Sequence, residues 1–236
     1  MTSPALSRVA ETPAPATWML HGLRPLARRL LTSWYDVRVA GAEHVPADGP
    51  VILAANHVGW LDGPLLASIG SRPVHVLTKI EMFDGPLGRI LLGAGQIPLD
   101  RSASDIRAVR TCTRVLVDGG CIGIFPEGYR GAGDLTRFRN GAAYLALVTG
   151  APIVPLTFLG TRLPGGSAGS LPPRGARIDV VHGAPFSVAA QPWPRTRAHV
   201  AATSADLHDH LRGCLDAARA ATGRALPGPI PEGSHV

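Results

Sequence analysis

Val51-Ile52-Leu53-Ala54-Ala55-Asn56-His57-Val58-Gly59-Trp60-Leu61-Asp62-Gly63-Pro64 is the stretch that decides the fold. Val51 to Ala55 is a short uncharged apolar run, too short for a free-standing helix and bounded by polar residues, so it reads as a buried strand. Pro64 suits the first turn of a helix, where its missing amide hydrogen has no partner to lose. Outward from this segment the same alternation repeats. Val74 to Thr78, Cys121 to Phe125, Ile153 to Phe158 and Arg177 to Val181 read as strands, while Pro64 to Ile69 and Asp105 to Val117 read as helices, the second with Ser104 as N-cap. A late amphipathic helix carries Leu207, Leu211, Leu215 and Ala218 behind Thr203 or Ser204. Strands alternating with helices predict one three-layer α/β/α domain over residues 41–224, with a mainly parallel sheet covered on both faces.

Composition agrees. Of 236 residues, 45% are hydrophobic and 17% charged, which excludes a disordered or fibrous chain and leaves one core with tails. Residues 1–16 read as a disordered Pro/Ala/Ser/Thr tail without a secretory signal, and 225–236 as a flexible tail. Over 17–40 the apolar residues from Met19 to Trp34 share one helical face and Arg24, Arg28 and Arg29 the other, with Trp18 and Trp34 at the ends. That pattern fits a membrane-facing interfacial helix, and equally a helix packed on the core. The uncharged run 140–161 is long enough to span a bilayer, but Gly150, Pro152 and Pro155 divide it into a buried helix and a buried strand. Cys112, Cys121 and Cys214 lack metal or disulfide spacing and read as reduced core thiols of a cytosolic protein.

Chemistry concentrates at strand ends. His57 and Asp62 stand directly after a strand, where open α/β sheets build their sites. With Gly59 permitting a tight loop, Asp62 reaches one ring nitrogen of His57 and leaves the other free as a general base. The structural alternative makes Asp62 a helix cap and His57 a surface residue. Phe125-Pro126-Glu127-Gly128-Tyr129-Arg130 follows another strand, and its Glu127 and Arg130 are suited either to a polar substrate or to a surface ion pair. In Gly95-Gln96-Ile97-Pro98-Leu99-Asp100-Arg101, the Arg101 fork suits a phosphate, or an ion pair with Asp100 or Asp105. The net charge of +6 favours anionic partners; 22 of the 23 basic residues are Arg and Lys79 is the only lysine.

Taken in order, these blocks resemble the glycerolipid acyltransferase family, whose best-known members acylate 1-acylglycerol-3-phosphate. His57 and Asp62 match its N-H-x-x-x-x-D block, Gly95 to Arg101 its G-x-I-x-x-x-R-like block, Phe125 to Arg130 its F-P-E-G-x-R block, and Ile153-Val154-Pro155 its late V/I-P block. The resemblance implies that His57, aided by Asp62, deprotonates the acceptor hydroxyl, which attacks the thioester of acyl-CoA or acyl carrier protein without an acyl-enzyme. It also implies that Arg101, Glu127, Gly128 and Arg130 bind an anionic lysophospholipid, with Lys79 adding charge. Amides of the Gly59 or Gly128 turns are candidates to stabilise the developing oxyanion. No cofactor or metal is expected. The expected place is the cytoplasmic face of the membrane, held peripherally. Tyr129 and Gly131 stand where the family often has Thr and Ser, which leaves another lysophospholipid or glycerolipid acceptor open.

Two other classes compete. Gly165-Gly166-Ser167-Ala168-Gly169 matches the nucleophile elbow of serine lipases and esterases, and Asp179 and His199 follow in the right order, but the elbow needs a strand before it and a helix after it. The second is a non-catalytic lipid- or nucleic-acid-binding domain: nucleic-acid binding lacks zinc spacing, a P-loop, a basic run and stacking aromatics, and a plain lipid binder does not explain catalytic-type residues in all the main blocks. His208 and His210, two apart on a helix, face different directions and are not expected to share a metal.

Overall fold

β2 (Val51–Ala55) lies at the centre of the sheet, and every residue of it is buried. Its side chains alternate between two cores: Ile52 and Ala54 enter one, Val51, Leu53 and Ala55 the other. This is why the run carries no polar position. In the computed structural model, which describes residues 9–102 and 104–231, the elements are α1 (Trp18–Trp34), β1 (Asp36–Ala40), β2, α2 (Asp62–Ser68), β3 (His75–Lys79), α3 (Gly85–Gly93), β4 (Ile97–Leu99), α4 (Ile106–Val117), β5 (Cys121–Ile124), α5 (Gly141–Thr149), β6 (Ile153–Leu159), β7 (Arg177–His182) and α6 (Arg197–Thr222).

The described strands form one sheet in the order β1-β7-β6-β2-β5-β3-β4. β6, β2, β5, β3 and β4 run parallel to one another, and β7 pairs antiparallel with β6. One face packs on α4, α5 and α6 through Cys112, Leu116, Ala142, Leu207 and Leu211, the other on α2 through Leu65 and Leu66. Burying each of these leucines stabilises the fold by about 2 kcal/mol. The result is the expected three-layer α/β domain with its mainly parallel sheet. Because the five parallel strands share a direction, the loops after β2, β5 and β6 all emerge at one edge.

Several boundaries differ from the sequence reading. Residues 36–40 are not part of the N-terminal helix: β1 pairs with β7 from Asp36–Arg177 to Ala40–Val181, and helical periodicity stops at Trp34 because Asp36-Val37-Arg38-Val39 alternates with a period of two. Within α1, Arg24 does not join Arg28 and Arg29 on the outer face; it is half-buried and donates from Nη2 to the Gly70 carbonyl. The cap of α4 is Asp105, whose carboxylate accepts the Ala108 amide at 2.9 Å, rather than Ser104. α6 starts at Arg197 behind Thr196, before Thr203 and Ser204, which are buried inside it. α3 was not foreseen.

Neither tail is free throughout. Val9 is buried and Arg114 Nη1 donates to the Ala10 carbonyl at 2.9 Å, so residues 9–16 are not a detached tail; residues 1–8 lie outside the described residues. Leu226 packs on the core, Pro227 is buried and the Gly228 carbonyl accepts from Arg162, so residues 225–231 fold back on the domain and only 232–236 lie outside the description. Apolar Leu226 and Pro227 gain burial that a composition-based reading of a Pro/Gly-rich end overlooks.

Candidate active site

Asn56, immediately after β2, continues the sheet with its side chain. Its Oδ1 accepts the Phe158 amide at 2.7 Å and its Nδ2 donates to the Phe158 carbonyl at 3.2 Å, pinning the start of the loop to β6. His57 follows, with its backbone held from the loop after β5. The His57 amide donates to Glu127 Oε1 at 2.9 Å and the His57 carbonyl accepts the Gly131 amide at 2.9 Å. The imidazole stacks on Phe125 with centroids 3.9 Å apart and an interplanar angle of 17°.

Asp62, the first residue of α2, is fully buried. Its Oδ2 accepts the Val58 amide at 2.7 Å, the Gly59 amide at 2.8 Å and His57 Nδ1 at 2.9 Å. One oxygen therefore closes the loop before the helix and orients the ring; Asp62 is not the helix cap, because Leu61 holds the N-cap position of α2 and no side chain caps it. Nδ1 facing a carboxylate carries the proton, so Nε2 presents its lone pair. Nε2 has no partner among the described residues, and the side chain is 15% exposed. Gly59 is required by the tightness of this loop, since a Cβ there would lie 2.9 Å from the Thr161 carbonyl oxygen.

The other candidate residues divide. Arg101 lines an open pocket of ≈ 450 Å³ together with Gly128, Tyr129, Glu81, Arg137 and Arg139, and its Nη1 donates to the Gly128 carbonyl. Arg130 is half-buried within electrostatic reach of Asp62 and Arg101, and burial pushes its guanidinium below the ordinary value. Glu127 is buried, at 2% exposed, beneath the His57 backbone, and desolvation raises its carboxyl to about 7. Its Oε2, like Asp62 Oδ1, is buried without a partner. Lys79 is exposed, pairs with Glu81 at 3.3 Å and is not among the residues lining the pocket. A larger depression of ≈ 640 Å³ beside Glu11, Arg107 and Arg110 contains none of the candidate residues.

The suggested oxyanion donors are already committed: Gly59 N–H bonds Asp62, and Gly128 N–H bonds the Phe125 carbonyl at 3.0 Å. The serine-hydrolase constellation does not assemble either. Ser167 sits between turns, Asp179 is held by Arg177 at 2.8 Å, and His199 is exposed in the first turn of α6. Sequence reasoning missed Asn56, Phe125, Arg137, Arg139 and Arg162 as supports of the site. Asn56 and Phe125 stand inside the quoted motif blocks without a role read for them, Arg137 and Arg139 carry a local signal as two cations just beyond the Glu127 turn, and Arg162 carries none.

A family profile described as Acyltransferase matches residues 36–159. The chain is 32% identical over 165 residues to a chloroplastic 1-acyl-sn-glycerol-3-phosphate acyltransferase of Arabidopsis thaliana, covering 66% of this chain and 46% of that one. It is 32% identical over 127 residues to a 1-acyl-sn-glycerol-3-phosphate acyltransferase of Bacillus subtilis (52% and 63%), and 35% identical over 159 residues to an uncharacterized protein of Mycobacterium tuberculosis (59% and 41%). The chain thus spans about two fifths to two thirds of the length of these curated relatives. In fold it is similar to the crystal structure of the 1-acyl-sn-glycerophosphate acyltransferase of Thermotoga maritima, with a TM-score of 0.62 at 21% identity, over 84% of this chain and 79% of that one. With more than half of its length inside the profile, and the His57, Arg101 and Glu127 blocks gathered at one edge of one sheet, the chain belongs to the acyltransferase family.

Proposed function

We propose that this chain is an O-acyltransferase that moves a fatty acyl group from acyl-CoA or acyl carrier protein to the free hydroxyl of a lysophospholipid, with 1-acylglycerol-3-phosphate the acceptor and phosphatidate the product. The observation that carries this reading is the His57 Nδ1–Asp62 Oδ2 contact of 2.9 Å, in a ring that is partly exposed and whose Nε2 has no partner among the described residues. Nε2 takes the hydroxyl proton as the alcohol oxygen attacks the thioester carbonyl carbon. The C–S bond then breaks, and the imidazolium returns the proton to the departing thiolate. A positioned base of this kind contributes about 10²- to 10⁴-fold in rate. The acyl donor is a co-substrate, and the reaction as written needs no metal or resident cofactor.

Arg101, Arg137 and Arg139 around one open pocket support an anionic acceptor, with Glu81 and Asp100 limiting how much negative charge the pocket tolerates. Planar guanidinium forks match phosphate oxygens. The Gly128 turn lines the same pocket, while Arg130 is not among its lining residues and acts within electrostatic reach of Arg101 and Asp62. Lys79 contributes only through the field, since it is paired with Glu81.

The same reading places the chain peripherally on the cytoplasmic face of the membrane, where a lysolipid and a long acyl chain reside. Half of the apolar arc of α1 is uncovered: Leu23, Leu26, Leu30 and Trp34 are exposed while Leu20 and Leu31 face the core. α3, beside α1, leaves Leu87, Ile90 and Leu92 exposed as well. Exposed Arg28, Arg29 and Arg89 flank these side chains and suit anionic headgroups. No helix among the described residues is long and apolar enough to cross a membrane.

The function is tested by supplying labelled acyl-CoA and acyl carrier protein with a panel of lysophospholipids and glycerolipids. Lysophosphatidate is expected to be the preferred acceptor, and acylation of another acceptor in its place contradicts the assignment. For the location, Trp18→Ala with Leu23→Ser is expected to lower sedimentation with anionic liposomes without changing the circular dichroism spectrum; unchanged sedimentation removes the membrane reading.

A further inference from the structure

Arg162 is the largest side chain buried below 2% exposure, and it lies in the loop after β6, outside every block that carries the family resemblance. No carboxylate pairs with it among the described residues. Four carbonyls solvate it instead: Nε donates to Val58 at 2.6 Å, Nη1 to Gly166 at 2.9 Å, and Nη2 to Gly131 at 2.8 Å and Gly228 at 2.6 Å. These belong to the catalytic loop, the loop after β5, the Gly/Pro loop itself and the segment returning from α6. A buried charge costs several kcal/mol of desolvation unless such partners are supplied, so four segments converging on one guanidinium calls for a reason.

We propose that Arg162 is a positioning residue for the His57–Asp62 pair, acting through the Val58–Gly59 peptide. That one peptide group accepts from Arg162 Nε at its carbonyl and donates to Asp62 Oδ2 through the Gly59 amide at 2.8 Å. Guanidinium, peptide and carboxylate thus form a charge-assisted chain, Arg162⁺···O=C–N–H···⁻O–Asp62, in which each bond polarises the next. The same Asp62 oxygen holds His57 Nδ1, so the plane of the peptide and the aim of the imidazole are fixed together. The absent side chain at Gly59 lets the Thr161–Arg162 backbone approach closely enough for this clamp. Lysine cannot replace it, because an ammonium point charge lacks the planar fork that reaches four carbonyls in different directions.

The catalytic half of the test rests on the proposed acyl transfer; the spectroscopic half does not. Val58-Gly59 is the only Val-Gly step in the chain, so protein labelled with ¹³C-carbonyl valine and ¹⁵N-glycine shows that amide alone. In Arg162→Lys, the amide proton is expected to move upfield as its bond to Asp62 lengthens. kcat is expected to fall about 10- to 100-fold, with KM for both substrates within about twofold, as misplacement of a base requires. An unmoved amide, or a raised KM with kcat unchanged, overturns the proposal. A moved amide in an enzyme that acylates no lysophospholipid would sink the proposed function and leave the clamp standing. If Arg162→Lys does not fold, Gly228→Val takes its place in the full chain. At φ +78° valine is strained although nothing lies within 4 Å of its Cβ, so the residue 228 carbonyl must leave Nη2. A smaller displacement of the same amide is then expected, and none overturns the clamp.

Discussion

Two loops leave the same edge of the sheet, each carrying a pattern that reads as catalytic: Asn56–Leu61 after β2 and Arg162–Gly175 after β6. In the first, a strand precedes, a helix follows, and one buried carboxylate oxygen gathers two amides and an imidazole. In the second, Ser167 lies between turns, its carbonyl accepting the Ser170 amide at 3.1 Å, with neither strand nor helix adjoining it. The difference is in the flanking elements and not in the motif letters. A short pattern becomes a site only when regular structure on both sides fixes its backbone.

This contrast can be attacked from its strongest point downward. Asp62→Asn keeps an oxygen for the loop amides but favours the wrong histidine tautomer, so kcat is expected to fall about 10³-fold with the fold intact by circular dichroism; a loss below about tenfold would show that the first loop does not depend on its carboxylate. Glu127 gives the next largest effect. Desolvation raises its carboxyl to about 7 in the native state, against about 4.3 in the unfolded chain. Between these values the native state keeps a proton that the unfolded chain releases. Its stabilising contribution is therefore complete below the unfolded value and is lost as pH rises through about 7, by up to about 3 kcal/mol. Subtracting the urea unfolding curve of Glu127→Gln from that of the wild type at each pH should isolate this decline, and a flat difference would contradict the burial of Glu127 under His57.

Smaller again is Asn56→Ala, which leaves the Phe158 amide and carbonyl unpaired in the interior and is expected to cost about 2 kcal/mol in urea unfolding at unchanged m-value. Ser170→Ala, which removes only a turn bond from Ser170 Oγ to the Ser167 carbonyl, is expected to leave kcat within about twofold. If Ser170→Ala matched Asp62→Asn in its effect, the two loops would have to exchange roles.

How much of this was legible in the sequence depends on the range of the interactions involved. β2, β5 and β6 announce themselves because strands buried on both faces are continuous apolar runs. β1 was hidden because it is an edge strand with four of its five residues exposed, so its short alternation marks no buried apolar face. α3 was missed because Gly85, Gly88 and Gly93 dilute the helical signal and its leucines face outward rather than repeating against a core. His57 and Asp62 are only five residues apart, so their approach follows from local chain geometry. Glu127 and Arg162 act on that loop from 70 and 104 residues away, and Asn56, inside it, is tied to Phe158 102 residues on; nothing in the local sequence shows these pairings. Glu127 in particular was expected at the substrate, and lies instead behind the histidine, bonded to its amide.

The most direct test of the central claim compares His57→Ala with Ser167→Ala, in parallel, for transfer of a labelled acyl group from acyl-CoA to lysophosphatidate. Loss of transfer in the first variant by about 10³-fold or more, with the second indistinguishable from the wild type, is the predicted result. Retained transfer in His57→Ala together with its loss in Ser167→Ala would contradict it and move the chemistry to the loop after β6.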